Sequence, residues 1–136
     1  MFEAHGEFKL KLHGNILVSK FLGSWNKETA VAFVLEARRL VKPLNGKPWA
    51  VLTDLDEWEL GTPECEEIQR ASVIKSINKG LKCEALINRQ GHLKVEWFLK
   101  TAPQDSNFER RVFAEKQEGL DWLAVNGFTV DLIKFP

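Results

Sequence analysis

Seven carboxylates crowd one short stretch of the chain, Asp54, Asp56, Glu57, Glu59, Glu64, Glu66 and Glu67, and no base intervenes before Arg70. Acids at this density could hold a cation, supply an acid–base pair, or simply repel anions. The spacing speaks against the first, because a calcium loop counted from Asp54 needs glycine at the position of Glu59 and glutamate at that of Cys65. Acid–base work needs a partner group in a defined pocket, and the spacing supplies none. Repulsion remains. A carboxylate about 6 Å from an incoming phosphate costs about 1 kcal/mol even at a water-like dielectric. Nucleotides, phospholipid headgroups and nucleic acid are therefore disfavoured at this stretch, and a protein partner with a basic surface is favoured.

The other reactive residue types read as structural. Cys65 falls in the first turn of a predicted helix, where the helix dipole would lower a thiol pKa, but Glu64 and Glu66 beside it push the other way. A small buried side chain is the better reading. His5, His13 and His92 show no ligand spacing, so no metal site is expected. A Gly-rich phosphate loop, a GxSxG elbow and an HExxH pair are all missing from the sequence. No catalytic residue, cofactor or enzymatic activity is expected. Trp25 and Trp58 follow apolar runs and are placed in loops at one end of a sheet, as core lids or as anchors for a partner.

The elements that would position these residues are legible. Phe8, Leu10 and Leu12 alternate with Lys9 and Lys11, and Gly14-Asn15 turns the chain into a second strand from Ile16 to Leu22. Asn26 caps an amphipathic helix marked by Ala30, Phe33, Val34, Ala37, Leu40 and Val41, which Pro43 stops. Trp49 to Leu52 reads as a buried parallel strand. Thr62 as N-cap and Pro63 at the first position open a second helix, with Ile68, Ala71, Ile74 and Ile77 as its apolar side and Gly80 closing it. A strand from Lys82 to Ile87 follows. Leu93 to Trp97 alternates like a strand yet also fits one helical face. Phe108, Arg110 and Val112 mark a late strand, and Glu115 to Asn126 a last helix.

The order of these elements and two local motifs resemble the STAS fold, in particular its SpoIIAA-like branch, related to bacterial anti-sigma-factor antagonists. The motifs are Val51-Leu52-Thr53-Asp54-Leu55, a strand ending in Asp-Leu, and Val112-Phe113 followed by Glu118-Gly119-Leu120-Asp121-Trp122-Leu123. The likeness spans Phe8 to Asn126 and favours helix for the Leu93 segment. It implies a single α/β domain over residues 1–136, with a mixed, mostly parallel five-stranded sheet and about four helices in the order β-β-α-β-α-β-α-β-α. Residues 127–136 are then a C-terminal extension. Antagonists of this kind carry a phosphorylatable serine where the second helix begins. This chain has Gly61-Thr62-Pro63-Glu64 there, so Thr62 reads as a cap rather than a phosphoacceptor.

The whole chain sets the remaining bounds. It has 136 residues with 19 basic and 19 acidic side chains, a balance that argues against nucleic-acid binding. Charges interrupt every apolar run, so no membrane span is expected, and two cysteines suit a reducing cytoplasm. The expected function is a cytoplasmic, non-catalytic interaction or regulatory module. Its face is drawn from Trp25, Asp54, Asp56, Trp58, Thr62 and the loop from Asn88 to His92. The alternative is a carrier or sensor of a small apolar ligand, because the SpoIIAA-like branch is also similar to CRAL-TRIO lipid carriers. The apolar segment Phe128–Pro136 is expected to pack as an edge strand or to join two copies as a homodimer.

Overall fold

The computed structural model describes residues 5–89, 92–103 and 107–129. Strand β1 (Glu7–His13) turns at Gly14 into β2 (Ile16–Trp25), and the two pair antiparallel from Glu7 opposite Leu22 to His13 opposite Ile16. Gly14 takes φ 60°, the left-handed conformation that a tight hairpin turn requires. Helix α1 (Lys27–Val41) follows, and the Asn26 side chain accepts from the Thr29 amide at 3.2 Å as the expected N-cap. A 3-10 turn (Lys42–Leu44) leads into β3 (Trp49–Asp54), then β4 (Trp58–Gly61), α2 (Pro63–Asn78) and β5 (Leu81–Ile87). Helix α3 (His92–Leu99), β6 (Glu109–Phe113) and α4 (Lys116–Val125) complete the order.

The sheet runs β1-β2-β3-β5-β6, and every neighbouring pair after the first is parallel. It holds one strand more than the five expected. The pairing of β2 with β3 ends at Lys20 opposite Asp54, yet β2 continues to Trp25. Its overhanging backbone needs partners. After β3 the chain makes a tight turn and continues in the same direction, with the Asp54 carboxylate accepting from the Asp56 amide at 3.0 Å and the Trp58 amide donating to Leu55 O at 3.1 Å. This lays β4 beside the overhang, Gly23 opposite Trp58 and Trp25 opposite Gly61. Trp25 and Trp58 thus lie on strands, not in loops as their positions after apolar runs predict.

Helices α1, α2 and α3 cover one face of the sheet and α4 covers the other. Under the first face Phe21 stacks on Trp25 at 4.1 Å between centroids, and Phe33, Trp58 and Phe98 close around them. Under the second, Ile16, Ala50, Leu52, Ala85 and Ile87 meet Leu120, Leu123 and Phe128. Phe128 is buried inside its own chain, so this residue of the expected dimer segment is not offered to a second copy; residues 130–136 lie outside the described residues. Helix α2 buries Cys65, Gln69 and Val73 at intervals of four, with the expected Ile68 and Ile77 packed at its flanks, whereas Ala71 and Ile74, also expected on the apolar side, are exposed. The ambiguous Leu93 segment is helical, because Trp97 and Phe98 must both reach Trp58, at 4.9 and 5.5 Å.

A line of polar side chains crosses the strands beneath the first face. Ser19 Oγ donates to Thr53 Oγ1 at 3.0 Å, Thr53 Oγ1 donates to Glu84 Oε2 at 2.6 Å, and Arg110 Nε donates to Glu84 Oε1 at 2.7 Å. The Arg110 and Glu84 side chains expose 4% and 9% of their surface. Arg110 also donates to Phe98 O and to Thr101 Oγ1, fastening the end of α3 to the sheet. Cys83 lies on the opposite face, where burial and the carboxylates of Glu109 and Glu84 push its thiol up to about 11. A thiol so disposed stays protonated at neutral pH.

Candidate functional site at the carboxyl ends of the strands

The parallel strands β3 and β5 end together, with the Leu55 amide donating to Ile87 O at 2.8 Å. In open α/β sheets this end is where ligands and partners are met. Asp54, Asp56 and Asn88, three of the residues expected in an interaction face, lie at this end. Asp56 Oδ1 accepts the Arg89 amide at 2.7 Å, and the Asn88 amide donates to Phe113 O at 2.9 Å. The side chain of His92, also expected here, lies outside the described residues.

Three cations from distant elements, Lys20, Arg89 and Lys94, join Arg70 of α2 among the acids, which corrects the reading of the stretch as an uncompensated negative crest. Lys20 of β2 pairs with Glu57 at 2.6 Å, and Arg70 with Glu66 at 3.0 Å. Arg89 Nη2 meets Glu115 Oε2 at 2.7 Å, with its Nε 3.9 Å from Asp56. Lys94 Nζ donates to the carbonyl oxygens of Leu55 and Asp56 at 2.8 and 3.1 Å. The Lys20 hydrogen bond holds the Glu57 carboxyl below the usual carboxylate range, and Glu57 in return raises the Lys20 ammonium. These are exposed pairs, and they add little to stability. Their effect is on charge. The crest keeps a negative balance, carried by acids such as Glu59, Glu64 and Glu67, with cations set among them.

Trp25 exposes 2% and Trp58 1% of its surface, so neither ring is presented at the crest, and their expected place in an exposed face is corrected. The Trp25 indole N–H is shared between Glu7 O at 3.0 Å and Leu22 O at 3.2 Å. Thr62 stands at the N-cap position of α2, with Pro63 next, but its side chain does not cap an amide. Its hydroxyl sits 3.5 Å from Cys65 Sγ and hydrogen-bonds the Glu64 carboxylate, holding that carboxyl below its usual range. Cys65 itself is fully buried, its Sγ 3.7 Å from Trp25 O.

What the crest does present is a cleft of about 590 Å³ between β4 and the start of α3. Leu60 and Leu93, with the buried Trp58 behind them, supply its apolar lining, and Asp56, Glu57, Glu59 and Lys94 its charged lining. Leu93 is 66% exposed, and Leu60 is held at φ 75°, a left-handed conformation that leucine rarely adopts. Such strain persists where the surroundings enforce it, and it clusters at binding sites. Lys20, Leu60, Leu93 and Lys94 were not legible as site residues, because the pairing of β2 with β4 and the docking of α3 bring them here, whereas Arg89 falls in the expected loop from Asn88 to His92. The one local signal was the positive charge of Arg89-x-x-x-x-Lys94 following a strand end. Among the described residues no cluster of three or more His, Cys, Asp or Glu side chains could hold a metal ion, and no helix is long and apolar enough to cross a membrane.

Against known proteins, no family model matches the chain, and no curated protein matches it. Solved structures do. An uncharacterised protein of the DUF3478 family with a SpoIIAA-like fold, from Shewanella loihica PV-4, superposes with a TM-score of 0.68 at 20% identity, covering 90% of this chain and 98% of its own. An anti-sigma factor antagonist from Mycobacterium paratuberculosis superposes with a TM-score of 0.60 at 16% identity, covering 88% and 95%. The fold is that of SpoIIAA-like, STAS-type α/β proteins.

Proposed function

We propose that this protein is a non-catalytic interaction module of the STAS type, which engages a protein partner through the crest cleft between β4 and α3. The observation that carries this reading is the cleft's composition, an apolar centre of Leu60 and Leu93 surrounded by Glu57, Glu59 and Lys94. An apolar centre within a polar rim is the anatomy of a protein–protein contact. The anti-sigma factor antagonist of the same fold acts, by its name, on a protein, which agrees with this assignment. The mixed charges of the rim suit a partner of complementary mixed charge, with a basic excess facing Glu59 and Glu64.

A carrier of apolar ligands would keep an empty apolar chamber, whereas here the interior between sheet and helices is packed with stacked aromatic rings. Phosphorylation does not govern the contact in this reading. Thr62 is followed by proline and turned toward Cys65 and Glu64, where a phosphoryl group would face the carboxylate at close range.

Photo-crosslinking tests this. A benzophenone side chain replacing Leu93 is expected to trap one discrete protein in extracts of the source cells, while the same probe replacing Val125, 84% exposed on α4, traps none. Leu60→Glu should abolish the product and Thr62→Val should preserve it. Equal labelling from both probe positions, or no product at either, overturns the assignment.

A further inference from the structure

At the amino ends of the parallel strands, opposite the crest, the carboxyl ends of α1 and α2 flank a second cleft, of about 930 Å³. Arg38 and Lys42 line it from one side, Lys75 and Lys79 from the other, with Val41 and Trp49 between them. No aspartate or glutamate lines it. Among the described residues none of the four cations belongs to an ion pair, although the chain as a whole carries as many acids as bases.

Cations at helix carboxyl ends are ordinary, because they offset the dipole. Two helix ends present roughly one negative charge between them. Four cations exceed that several-fold, and no acid in the cleft's lining offsets the remainder.

The frame from which these side chains project is fixed. The Trp49 amide donates to Gly80 O at 3.0 Å, and its indole N–H donates to Lys79 O at 3.1 Å. Gly80, at φ 106°, lets the end of α2 approach so closely that a Cβ there would stand 2.5 Å from Lys47 O. The entry to β3 and the end of α2 are therefore clasped together, with the lysines mounted on the clasp. A cleft of this size suits a small organic ligand rather than a lone ion.

We propose that this cleft binds a soluble phosphorylated small molecule carrying at least two negative charges. Three of the four cations are lysines, point charges suited to a tetrahedral phosphate more than to the planar, two-toothed pairing that carboxylates make with arginine. The half-buried Val41, backed by the buried Trp49, offers apolar contact to the ligand's organic part. The cleft's lining contains none of the exposed large apolar residues that would enter a bilayer, so the phosphate comes from a free molecule and not from a membrane headgroup. The site is independent of the crest and of what the crest binds.

Titration with inorganic pyrophosphate at low ionic strength, followed by amide NMR, tests the proposal. Saturable shifts are expected at the amides of Gly46 and Lys79 and at the Trp49 indole, fading as salt is raised. Lys75→Gln with Lys79→Gln should weaken binding about tenfold, whereas Lys75→Arg with Lys79→Arg should stay near the parent value. Lys9→Gln with Lys11→Gln on β1 serves as the control and should change nothing. Shifts that fail to saturate, that survive the glutamine pair, or that fall equally with the β1 control overturn the site. Co-sedimentation with vesicles of phosphatidylglycerol and phosphatidylcholine, lost in the glutamine pair, overturns the assignment to a soluble ligand.

Discussion

Glu84 and Arg110 show how much one buried pair can decide. Their charges are stripped of water, and the balance holds only because Thr53, Thr101 and Phe98 O satisfy the remaining hydrogen-bonding capacity. Arg110→Met would leave the Glu84 carboxylate buried without its cation, and is expected to cost about 3–5 kcal/mol. Adding Glu84→Gln, which keeps a group for Thr53 to meet, should recover most of that loss. Denaturant unfolding of the single and double variants decides it, and a double variant no more stable than Arg110→Met would refute the account. His13 carries a pH prediction. Burial, and secondarily Lys11, lower its pKa from 6.5. Between its lowered folded value and 6.5 the unfolded chain binds more protons, so stability is full above pH 6.5 and declines as pH falls through that window. His13→Gln should flatten this part of the stability profile relative to the parent. A profile of unchanged slope would show that His13 does not supply it.

Elements are specified unevenly along this chain. At the α2–β5 junction Gly80 is required twice over, by its φ of 106° and by the 2.5 Å approach of Lys47 O. Gly80→Ala is therefore expected to cost about 1–3 kcal/mol and to disturb the Trp49 clasp. A thermal midpoint within error of the parent would contradict this. That glycine was legible in the sequence as a helix stop, but the reason it cannot be alanine was not, since Lys47 lies more than thirty residues away. Helix α1 announced itself fully, from its Asn26 cap to Pro43, because its signals are local. Strand β4 left no such trace. It exists because β2 outruns β3, a fact of register that no window of four residues contains. Helix α3 was ambiguous for a related reason. Its alternation favours a strand in isolation, and the packing of Trp97 and Phe98 on Trp58 overrides it. The apolar side of α2 is legible in part: Ile68 and Ile77 pack on the core as their spacing predicts, while Ala71 and Ile74 face outward and the fully buried positions are Cys65, Gln69 and Val73.

At the scale of the molecule, composition gave a balanced charge and a run of acids, and the fold redistributed both. Lys20, Arg70, Arg89 and Lys94 arrive among the acids, while Arg38, Lys42, Lys75 and Lys79 collect at the other end with none. A linear reading sees the acids because they are neighbours in sequence; it misses Lys20 and Lys94 among them, and the meeting of Arg38 and Lys42 with Lys75 and Lys79, because only the fold brings those segments together. The same sheet ties the two cores together. Phe33 packs beneath α1 and Leu123 beneath α4, and the strands β2, β3 and β5 contribute side chains to both layers. Unfolding either layer exposes the other, so the chain is expected to unfold in one transition, with tryptophan fluorescence and far-UV circular dichroism coincident. Phe33→Ala and Leu123→Ala should each lower that single midpoint, at a cost of about 2–5 kcal/mol apiece. Because the two side chains lie on opposite faces and in separate clusters, their costs should add to within about 0.5 kcal/mol. Two resolved transitions, with each substitution moving only one, would mean instead that the α4 layer folds apart from the layer that builds the crest.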